Sequence, residues 1–186
     1  MSSAATSSKK NLQTKDLALI GVFAAVMAVC SWISIPAAVP FTLQTFGVFI
    51  ALEILGGKRG TLSVLIFLLM GAAGLPVFSG MRGGIQVLTG PTGGYIAGFL
   101  AGTLLMWVIE KVMPKHPAVE IFSMAAALLT CYALGTVWFM AVYSRANGPV
   151  GLMTVLGWCV FPFVIPDLIK IALACILGRR LRRYVL

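Results

Sequence analysis

Charged side chains are scarce in this sequence, and their scarcity excludes most classes of soluble protein. Of 186 residues, 14 are Lys or Arg and 5 are Asp or Glu, while 60% of the residues are hydrophobic. A soluble domain has about 25% charged residues, because a globule in water must cover its surface with polar groups. The composition therefore excludes a soluble enzyme, a disordered chain and a secreted disulfide scaffold. It indicates an all-α integral membrane protein with several spans.

The sequence also lacks the patterns that accompany catalysis and metal binding. Its four cysteines lie singly in apolar runs, without a CxxC pair or a nearby His cluster; they are Cys30, Cys131, Cys159 and Cys175. We interpret them as small packing residues and expect no metal site. Neither a Walker A sequence nor a nucleophile–base pair within the apolar stretches is found, so we expect no enzyme.

Six apolar stretches predict six transmembrane helices. They cover residues 17–35, 41–55, 61–75, 95–109, 121–143 and 151–177. Residues 1–14 are expected to form a disordered cytoplasmic tail, and residues 15–183 a single six-helix transmembrane domain. A Gly-rich segment over residues 76–94 is too polar and too broken for a span. We expect it to be a folded external loop between helices 3 and 4 that packs back on the bundle.

The distribution of cations predicts the orientation of the chain. If the N-terminus is cytoplasmic, the lysines and arginines between spans and at both ends fall on the cytoplasmic side, and only Arg82 and Arg145 lie in external loops. The opposite orientation would place nearly all of these cations outside. The positive-inside rule therefore predicts that both termini are cytoplasmic.

Two ionisable residues, Asp167 and Lys170, interrupt the last apolar stretch. An ionisable group at membrane depth costs at least about 2.5–3.5 kcal/mol, so it usually faces a cavity and has a role. The spacing i, i+3 places both on one helix face, and the preceding Pro166 predicts a helix start. The pair is either the polar floor of a ligand pocket that faces the outside or an internal ion pair that only pins the helix.

Three further polar residues have both a functional and a structural interpretation. Gln44 lies in an apolar stretch near the outer end of the second span, where it can face a ligand or form an interhelical hydrogen bond. Arg82 and Gln86 lie in the Gly-rich segment, where Gly83 and Gly84 would let backbone N–H groups approach a ligand. A solvated loop arginine is the structural alternative. Glu53, by contrast, is explained by pairing with a nearby cation of residues 58–59.

Small residues four apart line the first span. Gly21 and Ala25 form one such pair, and Ala24 and Ala28 form a second. Such a strip lets another helix approach closely. The spacing does not distinguish a helix of the same bundle from a partner subunit.

The order of several short motifs resembles the BioY family, the biotin-specific substrate-binding (S) components of energy-coupling-factor (ECF) vitamin transporters. The resemblance covers residues 15–180. It rests on VPFTLQT (39–45), LGGKRG (55–60), GLPVF (74–78), GMRGG (80–84), GPTGGY (90–95), and on Pro162 and Phe163 ahead of DLIK (167–170).

The resemblance implies a six-helix fold in the cell membrane of a prokaryote, with a vitamin site near the external face under the loops after spans one and three. It implies biotin as the transported ligand, no cofactor, and partners comprising a transmembrane coupling subunit and two ATPase subunits. Ala24 and Ala28 match the strip that meets the coupling subunit. The residues expected to bind substrate are Asp167, Lys170, Gln44, Arg82, Gln86 and Tyr95.

The polar residues are compatible with biotin, whose ureido ring offers two N–H donors and one carbonyl acceptor. A carboxylate, an ammonium and an amide can satisfy all three groups. Phe41, Phe46, Phe78 and Trp158 are candidates for the apolar walls. Two alternatives stay open: an S component for another small vitamin of the thiamine or riboflavin class, and a structural membrane subunit without a ligand.

Overall fold

The computed structural model describes residues 13–37, 39–114 and 116–185. Within these residues the chain forms seven helices and one pair of two-residue strands. In chain order they are α1 (Thr14–Trp32), β1 (Ser34–Ile35), β2 (Phe41–Thr42), α2 (Gln44–Ala72), α3 (Ile85–Thr89), α4 (Gly93–Val112), α5 (Pro117–Asn147), α6 (Leu152–Cys159) and α7 (Phe161–Val185). The expected tail over residues 1–14 lies outside the described residues except for Gln13 and Thr14, where α1 begins.

Five of the described helices, α1, α2, α4, α5 and α7, are long and apolar enough to cross a membrane. Large hydrophobic side chains on these helices are exposed around the bundle, among them Val29, Leu69, Leu129, Val137 and Ile169. In water such a surface would be an aggregation site, whereas lipid accepts it without cost. The all-helical membrane class predicted from composition is confirmed.

Helix α2 contains two helical halves because the chain reverses direction at Gly56. This residue has φ 77° and ψ 169°, a left-handed φ that glycine adopts without strain. A Cβ on Gly60 would lie 3.0 Å from Leu52 Cα, although eight residues along a continuous helix span about 12 Å. The two halves therefore run antiparallel, in the places where the sequence predicts the second and third spans.

The last apolar stretch is divided differently from the prediction. The break lies at Val160, between α6 and α7, and Pro166 lies inside α7 rather than at its start. Pro162 occupies the first turn, where no intrahelical donor is needed. The expected helix start at Asp167 is therefore wrong, and Asp167 lies in the second turn of the helix.

The backbones of helices α4 and α5 approach each other closely, because α4 has a glycine at every fourth position toward α5. A Cβ on Gly98 would lie 2.9 Å from Cys131 Cα, and a Cβ on Gly102 would lie 2.6 Å from the Ala127 carbonyl oxygen. Such spacing lets two backbones meet without intervening side chains. The close approach fixes the relative positions of Tyr95 on α4 and Tyr132 on α5.

Both described ends of the chain lie at the same end of the bundle, which we call the Gly56 end. Arg59, just beyond the α2 reversal, pairs with Asp16 at the start of α1 at 3.1 Å. Arg179, near the end of α7, lies 3.5 Å from Glu53 and 3.2 Å from Glu120. The sequence predicted that Glu53 pairs with a cation of residues 58–59. The structure shows that its partner is the distant Arg179 instead.

Candidate ligand-binding site

A small cavity of about 70 Å³ lies at the bundle end opposite Gly56, which we call the pocket end. Its lining comes from the segment before α2, the start of α2, the Gly-rich segment, α4, α5 and the α6–α7 region. Five of the six predicted substrate-binding residues line it: Asp167, Lys170, Gln44, Arg82 and Tyr95. The structure therefore brings together residues that are up to 126 positions apart in the chain.

Asp167 and Lys170 form a buried ion pair at the floor of this cavity. Lys170 Nζ donates to Asp167 Oδ1 at 2.8 Å, and the two side chains are 6% and 4% exposed, respectively. The second carboxylate oxygen accepts a hydrogen bond of 2.6 Å from the Tyr132 hydroxyl. Two donors thus hold the carboxylate in place, and each of its oxygens keeps a lone pair for a further donor.

Lys170 also connects α7 to the segment that precedes α2. Its Nζ donates to the Thr42 carbonyl oxygen at 2.6 Å and lies 4.3 Å from the centre of the Phe41 ring. Phe41 and Thr42 form β2, which pairs with β1 just after α1. One ammonium group therefore tethers this strand pair to the cavity floor.

Gln44 contributes a donor that the protein itself does not use. The residue is 5% exposed, and its side-chain Nε2 has no hydrogen-bond partner within the described part of the chain. A buried amide N–H without a partner costs roughly 1–3 kcal/mol. Because Gln44 lines the cavity, its Nε2 is suited to a carbonyl acceptor of a bound ligand.

The two polar residues of the Gly-rich segment are placed differently. Arg82 lies in the cavity wall near the surface, and its Nε donates to the Ser79 carbonyl oxygen at 3.1 Å. Gln86 is exposed, bonds to the Gly83 carbonyl oxygen at 2.9 Å and lies outside the lining. The sequence suggested that the Gly84 N–H is available to a ligand. The structure shows that it donates to the Gly71 carbonyl oxygen at 2.7 Å.

Tyr95 forms part of the wall between α4 and α5. It is buried, and its hydroxyl lies 3.3 Å from Thr136 Oγ1. The Cys131 thiol donates to the Tyr95 carbonyl oxygen at 3.3 Å. Both contacts fix the ring against α5.

Sequence reasoning missed Tyr132 and part of the aromatic wall. Of the expected aromatic residues, only Phe78 lines the cavity, and Phe99 and Phe163 complete the wall. Trp158 is exposed and packs edge-on against Tyr143. Tyr132 did leave a signal, because it is a polar hydroxyl inside an otherwise apolar span.

The Gly-rich segment closes the cavity and is anchored at both ends by indole groups. Trp32 Nε1 donates to the Pro76 carbonyl oxygen at 2.7 Å, and Trp138 Nε1 donates to the Gly90 carbonyl oxygen at 2.9 Å. Ser31 Oγ adds a hydrogen bond to the Val77 carbonyl oxygen. Between these anchors the segment places Phe78, Ser79 and Arg82 over the cavity.

The small-residue strip expected to meet a partner is buried within the chain. Ala24 is 0% and Ala28 is 5% exposed, in a core cluster shared with α2. Gly21 and Ala25 lie on the exposed face of α1 instead. Close packing of α1 on α2 occupies that face in the described chain, and the expected role of Ala24 and Ala28 as a partner surface stays a prediction.

Lipid-facing helices that enclose a small polar pocket around a buried ion pair define the class of membrane-embedded ligand-binding proteins. Within that class the chain belongs to the BioY family, whose family model matches residues 4–186. This family consists of transport proteins and not enzymes.

Curated relatives match over nearly the whole chain. The chain is 41% identical to a biotin transporter BioY of Thermotoga maritima, over 91% of this chain and 96% of that protein. It is 37% identical to a probable biotin transporter BioY of Pyrococcus horikoshii, over 92% of this chain and 98% of that protein. A biotin transporter BioY2 of Lactococcus lactis is 36% identical, over 94% of this chain and 93% of that protein.

The fold is shared with a solved structure. The crystal structure of the S-component for biotin from an ECF-type ABC transporter superposes with a TM-score of 0.78 at 29% sequence identity, and 91% of each chain is covered. The likeness therefore extends over the whole bundle and is not confined to one pair of helices.

Proposed function

We propose that this chain is the biotin-binding membrane subunit of an ECF-type vitamin uptake transporter and that it captures biotin from the external side. The observation that carries the proposal is the buried Asp167–Lys170 pair beside the Gln44 side-chain nitrogen, which has no hydrogen-bond partner among the described residues, in a cavity of a BioY-family fold. The names of the relatives and of the matching structure support biotin as the ligand. Biotin is the transported ligand and not a cofactor.

The polar groups of the cavity match the functional groups of biotin. The Asp167 carboxylate accepts the ureido N–H groups, and the ureido carbonyl accepts from Gln44 Nε2 or from the Lys170 ammonium. Phe78, Phe99 and Phe163 supply apolar wall for the thioether ring and the aliphatic chain. Arg82, near the surface, is positioned for the ligand carboxylate. Each buried charged group then has a partner in the loaded site.

The distribution of charges supports a cytoplasmic Gly56 end and an external pocket end. Lys58, Lys111 and the arginines at the end of α7 lie at the former, whereas Arg82 and Arg145 lie at the latter. The positive-inside rule then places both termini in the cytoplasm of a prokaryotic cell. With the two halves of α2 counted separately, the chain crosses the membrane six times.

In a complete transporter this subunit joins a transmembrane coupling subunit and two ATPase subunits. The chain has no Walker A sequence, so ATP hydrolysis belongs to the ATPase subunits. We assign the contact with the coupling subunit to the exposed face of α1 around Gly21 and Ala25. A Cβ on Gly21 would meet no atom of residues 13–37, 39–114 or 116–185 within 4 Å, which leaves room for a partner helix to approach.

Replacing both Gly21 and Ala25 with Leu is expected to block transport and to spare ligand binding. The bulky side chains point away from the bundle and prevent close approach of the partner helix, so biotin uptake by the full complex falls at least about tenfold, equivalent to ~1.4 kcal/mol. Biotin affinity of the isolated subunit stays unchanged. Leu at Val108 of α4 and Val137 of α5, which are already large and exposed on other helices, is the matched control. Unimpaired uptake in the Gly21/Ala25 variant would place the partner surface elsewhere.

Calorimetric titration of the purified subunit with biotin, thiamine and riboflavin tests the proposed function. Saturable one-to-one binding of biotin alone is the expected result. Binding of thiamine or riboflavin in its place would assign the chain to another vitamin. Binding of none of the three by folded protein would favour the structural subunit.

A further inference from the structure

A second and larger cavity, of about 550 Å³, lies at the Gly56 end, far from the biotin site. It lies where the start of α1, the α2 reversal, the end of α4, the start of α5 and the end of α7 meet. Its size is within the range of about 300–1,000 Å³ that is usual for ligand pockets. The proposed function makes no use of this cavity.

The carboxylates of this cavity are already committed to partners within the chain. Asp16 pairs with Arg59 at 3.1 Å, and Glu110 accepts from the Gly57 N–H at 2.7 Å. Glu120 pairs at 3.2 Å with Arg179, which lies outside the lining. The charges of Asp16 and Glu120 are therefore balanced by arginines, and the Glu110 carboxylate is held by a backbone N–H.

Three cations of the lining have no such partner. Among the described residues, Lys58, Lys111 and Arg182 have no carboxylate oxygen within 4.0 Å. The ammonium of Lys111 lies 4.4 Å from the centre of the Trp107 ring. The cavity thus offers unpaired positive charge from three different parts of the chain, which suits an anion with several oxygen acceptors.

The surroundings of the cavity favour a phospholipid over a free anion. Exposed apolar residues follow one face of α4 toward it at every fourth position: Leu104, Val108 and Val112. Trp107, an amphipathic ring of the kind found at membrane interfaces, is part of the lining. A headgroup phosphate among the cations would therefore place its acyl chains along an apolar helix face.

We propose that the cavity at the Gly56 end binds the phosphate headgroup of an anionic membrane lipid through Lys58, Lys111 and Arg182. Basic pockets between transmembrane helices on the cytoplasmic side are suited to phospholipid headgroups. The bound headgroup bridges the α2 reversal, the end of α4 and the end of α7. The site is independent of biotin binding.

Native mass spectrometry of the delipidated full chain in neutral detergent tests the proposal, with phosphatidylglycerol, phosphatidylcholine of the same acyl chains, and inorganic phosphate as probes. We expect saturable binding of phosphatidylglycerol and weak binding of phosphatidylcholine. Lys58→Gln with Arg182→Gln should weaken phosphatidylglycerol binding about 30-fold, which corresponds to about 2 kcal/mol for two headgroup contacts. Neither Lys58 nor Arg182 has a carboxylate oxygen within 4.0 Å in the described ranges, so this variant should fold and bind biotin normally.

Arg180→Gln with Arg183→Gln is the matched control, because it also removes two positive charges at the Gly56 end but leaves the cavity lining intact. An unchanged phosphatidylglycerol affinity in this control supports the site. Equal losses in both variants would reduce the effect to nonspecific attraction and overturn the proposal. Competition by millimolar inorganic phosphate would overturn the lipid assignment in favour of a free phosphate. If neither phosphatidylglycerol nor inorganic phosphate binds, the lipid proposal is also overturned, and an acidic segment of a protein partner becomes the expected ligand.

Discussion

Replacing Asp167 with Asn is expected to lower the affinity for biotin about 10- to 150-fold. The change keeps the size of the side chain but removes its charge and one acceptor. Hydrogen bonds that involve a charged group contribute about 1.5–3 kcal/mol, which gives this range of affinity. The Tyr132 hydroxyl, 2.6 Å from the carboxylate, can still donate to the Asn oxygen, so the fold is largely preserved. Calorimetric titration of monodisperse protein, normalised to the folded fraction, measures the change.

Asp16→Asn is the control for this experiment. Asp16 is also a buried carboxylate in an ion pair, 3.1 Å from Arg59, but it lies at the Gly56 end. Its replacement should leave biotin affinity unchanged. If Asp167→Asn binds biotin as tightly as the wild type, the ion pair only pins α7, and the site must be rebuilt around Gln44 and Arg82.

Replacing Lys170 with Met should have a larger total effect, of about 3–5 kcal/mol divided between biotin affinity and folding stability. Met fills similar space, but it leaves the buried Asp167 carboxylate without its cation and the Thr42 carbonyl without its donor. Removing one partner of a buried ion pair costs about 3–5 kcal/mol. The thermal midpoint of unfolding should also fall, because part of this cost is paid by the unliganded protein.

The double variant Asp167→Asn with Lys170→Met separates the structural from the functional role of the pair. With both charges removed, no buried charge is left unpaired, so the thermal midpoint should recover toward that of the wild type. Biotin affinity should stay low, since the ligand has lost its charged partners. Recovery of affinity together with stability would contradict a role in binding.

Composition and charge were sufficient to predict the membrane class, and the motif order was sufficient to predict the family. Composition and motif order can be taken from the sequence without knowledge of how the side chains pack. The contact between Asp167 and Lys170 follows from helical spacing alone, and the structure shows it at 2.8 Å. Five of the six predicted substrate-binding residues line one cavity, whereas Gln86 does not.

Contacts between distant elements could not be predicted from spacing. Tyr132 reaches Asp167 across 35 positions, and no periodicity within α5 indicates that partner. The face of α1 posed the same difficulty: on a helix that is apolar all round, the pattern does not say which side meets the bundle. Gly21–Ala25 and Ala24–Ala28 were therefore equivalent in sequence, and packing on α2 distinguishes them.

The cavity of about 70 Å³ at the pocket end has a kinetic consequence. Ligand pockets are usually about 300–1,000 Å³, so the described cavity is too small for a bound vitamin, and we expect the Gly-rich segment or the β1–β2 pair to move when biotin binds. The observed dissociation constant then equals the intrinsic one divided by the fraction of open molecules. If opening is slow, the observed binding rate levels off at high biotin concentration at the rate of opening. The hydrogen bonds of Trp32, Trp138 and Lys170 would then set how fast the vitamin is captured as well as how tightly it is held.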